Sequence, residues 1–195
     1  MGLLNKKDWI AKWISGDYIP KKNQRYPVDY FKKVFVTGRN IKQARLYVSA
    51  CGLYEAKLNG THIGEFVLAP GCTDYRKRLQ YQTYDVTELL NTDAVNGQDE
   101  WEKEYCPQIL ELELADGWFR GSLGCYGATN VYGRRTALIC QLEILYTDGQ
   151  KEVISSDRSF RWSDDGPVRF QDLKDGEVYD AGKMPKYGGH AAEVK

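Results

Sequence analysis

A little over a quarter of the way along, the chain reads Leu53-Tyr54-Glu55-Ala56-Lys57-Leu58-Asn59-Gly60-Thr61-His62, a strand-like run that leads into a two-residue turn signal. Both central positions of a type I′ turn need a positive φ, which asparagine and glycine tolerate. Asn59-Gly60 therefore predicts a tight hairpin between neighbouring antiparallel strands. Asp148-Gly149 carries the same signal and predicts a second hairpin of this kind.

Strand patterns dominate the rest of the chain, and helical periodicity is scarce. The runs 45–50 and 109–114 alternate apolar with more polar residues, as expected of strands that bury one face. Predicted strands cover residues 34–36, 45–50, 54–58, 109–114, 137–146 and 152–154. They indicate an all-β fold, an antiparallel β-sandwich of the jelly-roll type whose two sheets bury their alternating faces against each other.

Three segments depart from this strand pattern. Asp85 followed by Glu88 predicts a single capped helical turn that serves as a connector. Residues 91–106 are polar and acidic and predict a long surface loop. Residues 182–195 contain too little apolar sequence for an element of their own and are interpreted as a linker or tail.

The predicted domain organisation follows from these segments. Residues 1–30 form an N-terminal extension that packs on the sandwich, residues 31–181 form the sandwich itself, and residues 182–195 form the tail. A chain of 195 residues is the size of one domain with a sizeable core.

Composition excludes several classes of protein. The 27 basic and 27 acidic residues cancel, which argues against a nucleic-acid partner. Neither a signal-like apolar stretch nor a membrane-length run is present. The five cysteines include no Cys-x-x-Cys pair, and Cys140 continues an alternating apolar run, so we expect it to be buried. These features favour a reducing cytoplasm, although a secreted chain that had lost its signal would look the same.

A resemblance to a known family emerges from motifs in a fixed order. They resemble the N-terminal β-sandwich of bacterial α-L-rhamnosidases of the glycoside hydrolase family 78 type, and nearly the whole chain takes part: Trp9–Ile14, Leu53-Tyr54, Asn59-Gly60, Leu68–Gly71, Thr73–Tyr75, Lys77–Thr87, Asp116–Gly121 and Asp175–Ala181. Cys72 stands where an aromatic residue is usual, and residues 91–106 depart from the family pattern.

The resemblance implies a galactose-binding-like sandwich that accompanies a catalytic domain. In this family the helical barrel that carries the catalytic acids follows the segment at which this sequence stops, so no catalytic residue can be transferred to it. We therefore predict a chain that is not an enzyme by itself. The partners implied are carbohydrate, in particular rhamnose-containing glycans, and a catalytic glycosidase domain.

Two groups of residues are candidates for carbohydrate binding. Asp116, Trp118 and Arg120 follow a predicted strand, where an indole face and two directional polar groups suit a pyranose. The alternative is that Trp118 packs in the core while Asp116 and Arg120 tie down the loop.

The second group is Asp74, Tyr75 and Arg76, on a loop between strands. These side chains could bind sugar or, through Arg76, the carboxylates of a partner domain. A solvated loop with an internal ion pair is the plainer alternative.

A cluster of acids near the C-terminus raises two further hypotheses, a Ca²⁺ site and a glycosidase carboxylate pair; its members are Asp172, Asp175, Glu177 and Asp180. Their spacing matches no calcium loop, and no neighbours are evident that would separate two pKa values. A solvated or interdomain role is favoured, with no metal or cofactor. His62 and His190 are the only histidines, which argues against zinc or triad chemistry.

The sequence thus predicts a non-catalytic accessory domain that recognises carbohydrate, supports a catalytic domain, or does both. Two rival hypotheses stay open, namely glycoside hydrolysis by the chain itself and docking to a separate catalytic polypeptide.

Overall fold

The computed structural model describes residues 4–21, 24–38, 40–90 and 105–194. Fourteen strands are assigned within these ranges: β1 Trp13–Ser15, β2 Asp29–Gly38, β3 Ile41–Cys51, β4 Leu53–Leu58, β5 Thr61–His62, β6 Gln82–Asp85, β7 Tyr105–Ala115, β8 Ala137–Tyr146, β9 Lys151–Ser155, β10 Arg161–Ser163, β11 Val168–Asp172, β12 Gly176–Tyr179, β13 Gly189–His190 and β14 Ala192–Val194. The helical elements are short: a 3₁₀ turn Lys6–Asp8, α1 Thr87–Leu90 and α2 Gly117–Arg120. None of these described helices is long and apolar enough to cross a membrane.

Two six-stranded antiparallel sheets form the sandwich. The first has the order β14-β1-β8-β3-β6, with β9 paired to the other end of β8, and the second has the order β13-β10-β2-β7-β4-β5. A separate two-stranded ribbon, β11-β12, lies outside both sheets. The predicted all-β antiparallel sandwich is confirmed.

The core lies where the predicted alternation placed it. β3 and β8 belong to the first sheet and β7 to the second, and all three contribute apolar side chains to one buried cluster, including Leu46, Val48, Ala50, Leu110, Leu112, Leu114, Leu138, Cys140, Leu142 and Ile144. Cys140 is 1% exposed, as expected. All five cysteines are free thiols.

The two predicted hairpins have different turns. Asn59 and Gly60 have φ values of 53° and 79°, and they join β4 to β5 through the predicted two-residue turn. The prediction for Asp148-Gly149 is wrong in detail, because only Gly149 has a positive φ, of 89°. The Tyr146 amide donates to the Gln150 carbonyl, so residues 147–149 form a three-residue turn inside this pair. Asp148 instead accepts a hydrogen bond from the Gln150 amide, which stabilises the longer turn.

The sheets include strands from the first 30 and the last 14 residues of the chain. The prediction that residues 182–195 lack an element is wrong, since β13 pairs with β10 and β14 pairs with β1. Residues 1–30 likewise include β1, which lies between β14 and β8. Strands of two or three residues have no periodicity to read, and they exist here because neighbouring strands of the folded sheets supply their hydrogen-bond partners.

The two other non-strand predictions have separate outcomes. Asp85 does cap the turn at α1, but its Oδ1 accepts from the amide and hydroxyl of Thr87, at 3.0 and 2.6 Å. Of the predicted loop 91–106, residues 91–104 lie outside the described ranges. Tyr105 and Cys106 belong to β7, where they pair with the end of β2, so the loop prediction is wrong at these two positions.

Candidate functional site

The segment after β7 folds back on itself and turns Asp116 and Arg120 inward. Gly117 has a φ of 49°, and a Cβ there would lie 2.5 Å from Leu53 Cγ, so only glycine permits this close turn into α2. The i, i+4 spacing brings Arg120 Nε to 2.8 Å and Nη2 to 2.6 Å from Asp116 Oδ1. Arg120 is only 3% exposed. The main contact of the Asp116 carboxylate is therefore the Arg120 guanidinium.

A chain of partly buried hydrogen bonds continues from Arg120 across the second sheet. Arg120 Nη1 donates to Tyr18 Oη at 2.7 Å, and Tyr18 Oη donates to Asp29 Oδ2 at 3.1 Å. Asp29 Oδ1 accepts from Trp162 Nε1 at 2.9 Å. We call Asp116, Arg120, Tyr18, Asp29 and Trp162 the buried network. It ties the first 30 residues to α2 and β10.

Burial shifts the pKa values of the buried network. Burial raises the pKa of Asp29 to about 6, although hydrogen bonding from Trp162 and the Arg120 charge oppose the shift. Burial also raises the pKa of Tyr18 well above its ordinary value, with the Asp29 charge adding to the effect. Burial alone would lower the pKa of Arg120, but the Asp116 and Tyr18 oxygens outweigh it and raise that pKa. Arg120 is thus a permanent cation.

The raised pKa of Asp29 predicts a specific pH dependence of stability. A carboxyl that binds its proton more tightly when folded stabilises the fold at low pH, and this contribution is lost as the pH rises from about 4 to about 6. An asparagine at position 29 cannot ionise, so Asp29→Asn lacks this loss of stability. Between about pH 4 and pH 7, the free energy of unfolding of the variant should therefore gain about 2–3 kcal/mol relative to the wild type. Urea unfolding at several pH values measures the difference, and a difference that stays flat with pH would refute the assignment.

A polar cleft of about 260 Å³ opens beside Asp116 and Arg120. Its wall includes Gln24, Arg25, Ser122, Asn130, Phe170 and Asp172. The Arg25 guanidinium lies 4.2 Å from the centre of the Phe170 ring and also pairs with Asp175. Ligand sites usually measure roughly 300–1,000 Å³, so this cleft suits a group no larger than one sugar ring.

Trp118, which was predicted to bind sugar together with Asp116 and Arg120, lies away from the cleft wall. It is half-buried, it does not belong to the buried core, and it does not line the cleft. The structure thus brings Asp116 and Arg120 together and leaves Trp118 outside their network.

The loop that carries Asp74, Tyr75 and Arg76 packs on the outside of α2. The Tyr75 ring lies 5.3 Å from Phe119 and 5.0 Å from Tyr132, and burial raises the Tyr75 pKa above its ordinary value. Arg76 Nη2 donates to the Val131 carbonyl at 3.0 Å. Asp74 accepts from the Arg76 amide and lies 3.6 Å from Lys77 Nζ. The two predicted groups are therefore neighbours, joined by an aromatic contact.

Two of the acids near the C-terminus, Asp172 and Asp175, have partners of their own. Burial would raise the pKa of Asp172, but amide hydrogen bonds from Lys174, Ser122 and Asp175 outweigh it and lower that pKa. Asp175 pairs with Arg25. Within the described ranges, no group of three or more histidine, cysteine or acidic side chains could hold a metal ion. The predictions about metals and cofactors stay predictions.

The comparison with known proteins decides the family. The family model described as "Alpha-L-rhamnosidase N-terminal domain" matches residues 39–191. The chain belongs to this family. An alpha-L-rhamnosidase of Formosa agariphila is 35% identical over 202 residues, which cover 100% of this chain and 20% of that protein.

Solved structures agree with this assignment to the alpha-L-rhamnosidase N-terminal domain family. An Aspergillus terreus alpha-L-rhamnosidase superposes with a TM-score of 0.85 at 32% identity, over 100% of this chain and 22% of that one. A Streptomyces avermitilis alpha-L-rhamnosidase complexed with L-rhamnose gives 0.74 at 37% identity, over 88% and 16%. The chain therefore spans about a fifth of the length of these relatives.

Several residues of this rhamnosidase-family domain escaped the sequence predictions. Tyr18, Asp29 and Trp162 belong to the buried network, yet Trp162 lies 133 residues from Asp29 along the chain, and Tyr18 lies 102 residues from Arg120. Gln24, Asn130 and Phe170 line the cleft from three separate segments. Asn130 alone left a local signal, since asparagine is enriched among the non-glycine residues that adopt a positive φ, here 59°.

Proposed function

We propose that this chain is a non-catalytic accessory domain of an alpha-L-rhamnosidase-type protein and that it recognises carbohydrate in the polar cleft. The proposal rests on the cleft. It brings together fixed hydrogen-bonding groups, an aromatic side chain and a permanently charged guanidinium in a volume that fits one sugar ring. Family membership and the L-rhamnose complex of a relative favour a deoxyhexose such as rhamnose as the ligand.

Charge balance in the cleft favours a neutral sugar. Arg120 is paired with Asp116, Arg25 is paired with Asp175, and Asp172 accepts three amide hydrogen bonds. A hydroxyl group both donates and accepts, so it can bond to such paired groups without leaving a buried charge. Arg120 Nη2 is buried and lies 2.6 Å from Asp116 Oδ1, so its charge is balanced within the domain.

The test is an NMR titration of the isotope-labelled chain with L-rhamnose. We expect saturable shifts of cleft amides with a Kd of about 1 mM or weaker, the range of a single sugar ring held by a few hydrogen bonds. Asn130→Gly should weaken binding about 2- to 10-fold, because it removes one hydrogen-bonding side chain and keeps the positive φ.

Asn40→Gly is the matched control for this titration. Asn40 also has a positive φ, of 64°, and lies exposed between β2 and β3, away from the cleft wall. We expect it to bind as the wild type does. Shifts that never saturate up to about 50 mM would reject carbohydrate recognition.

Support of a catalytic domain is the second candidate role. It is favoured by the fact that the chain spans 20% of one relative and 22% of a solved one, each carrying the name of an enzyme. Under this alternative, residues 73–78 or another exposed surface would contact the partner. Docking to a separate catalytic polypeptide is the same proposal with the two parts on different chains.

A further inference from the structure

Three consecutive apolar residues stand exposed after β5. Phe66, Val67 and Leu68, here called the apolar ridge, are 53%, 79% and 43% exposed. Single exposed apolar residues are ordinary on protein surfaces, whereas contiguous ones mark interaction sites. The ridge is therefore the apolar surface that most needs a partner among those the structure describes.

Two depressions flank the apolar ridge. One measures about 210 Å³ and lies toward His62 and Tyr84, and the other measures about 340 Å³ and lies toward β12. Val67 and Leu68 line both depressions. Tyr179, which is 61% exposed, lines the second one from the opposite side. Ridge and depressions together give a shaped surface with pockets for protruding side chains.

The backbone holds the ridge in a conformation with an energetic cost. Leu68 has a φ of 61°, and the left-handed region costs a residue other than glycine roughly 1–2 kcal/mol. The Leu68 carbonyl accepts from the Gly71 amide, and the Ala69 carbonyl accepts from the Tyr54 amide, so β4 fixes the turn. Retained strain of this kind is typical of binding segments.

Acidic side chains surround the ridge. Glu55 and Glu65 line the depressions on one side and Glu177 on the other, and all three are exposed. Among the described residues, Glu65 and Glu177 form no ion pair, while Glu55 has His62 at 3.9 Å. The charge of Glu113 is balanced by Lys57, whose Nζ lies 2.9 Å from Glu113 Oε1.

We propose that the apolar ridge and its acidic surround form a docking site for the surface of a separately folded protein domain. That surface has exposed apolar side chains at its centre and lysine or arginine at its edge. A second copy of this chain does not fit, because a two-fold contact would oppose the same glutamates to each other. The inference rests on the accessory role proposed above but not on sugar binding in the cleft.

A random-peptide library displayed on phage tests the chemistry of this partner. The chain is immobilised, and bound peptides are sequenced and then measured one by one. We expect enriched peptides to combine apolar residues with lysine or arginine. Their affinity should fall about tenfold in Val67→Ser and in Tyr179→Ser, which remove exposed contacts on two different elements. It should also fall several-fold when the salt is raised from about 0.05 M to about 0.5 M.

Ile19→Ser is the matched control for the library experiment. Ile19 is 84% exposed and lines neither depression, so its loss should leave peptide binding unchanged. Peptides that bind all variants equally, peptides without basic residues, or dimerisation of the wild type abolished by Val67→Ser would each overturn the proposal. Val67→Ser should still bind L-rhamnose as the wild type does, which separates a failure here from a failure of the cleft.

Discussion

Replacing Arg120 by methionine should lower the free energy of unfolding by about 3–5 kcal/mol. Arg120 is 3% exposed, and its guanidinium donates hydrogen bonds to Asp116 and Tyr18. Its removal would leave the Asp116 carboxylate buried without its cation and would take the guanidinium donor away from Tyr18 Oη. A methionine fills similar volume, so the loss reports the missing polar partner more than a cavity. Urea unfolding at neutral pH measures the effect.

Two further variants make the Arg120 result specific. Arg134→Met removes an exposed guanidinium from the next loop and should change stability by no more than about 0.5 kcal/mol. Asp116→Asn combined with Arg120→Met should cost clearly less than the sum of the two single changes, because the stranded charge is gone. An additive cycle, or an Arg120→Met loss below about 1 kcal/mol, would contradict the buried network.

Phe31→Ala should cost about 3–5 kcal/mol. Phe31 is fully buried in β2, opposite Leu112 of β7 and Trp162 of β10, within the apolar cluster shared by the two sheets. The surrounding strands are fixed by long hydrogen-bonded ladders, so the cavity cannot collapse fully. Phe66→Ala deletes the same atoms from the exposed ridge and should cost about 1 kcal/mol or less. Similar losses at both positions would contradict a core between the sheets.

Much of the fold could be predicted from sequence because long strands leave a local pattern. Alternation in β3 and β7 and the largely apolar run in β8 each reflect burial on one or both faces, and all three strands lie where the pattern placed them. The short strands β13 and β14 were missed because tertiary pairing alone creates them. At Asp148-Gly149, the aspartate side chain favoured a three-residue turn over the predicted two-residue turn.

The candidate site was less accessible to sequence reasoning. Asp116 and Arg120 were chosen because they follow a strand, but Gly117 turns α2 inward and their spacing pairs them. Their further partners, Tyr18 and Asp29, are distant in sequence, and only the folded sheets bring them together. The aromatic contact between Tyr75 and Phe119, which joins the two predicted groups, is likewise a product of tertiary packing.

The proposal that this domain binds without catalysing is tested most directly by incubating the purified chain with p-nitrophenyl α-L-rhamnoside. We predict that nitrophenol release does not exceed that of buffer, because Asp172 is held as an anion by amides and Asp175 is paired with Arg25. Steady turnover by the wild type that disappears in the double variant Asp175→Asn and Glu177→Gln would contradict the account and make the chain a hydrolase in its own right.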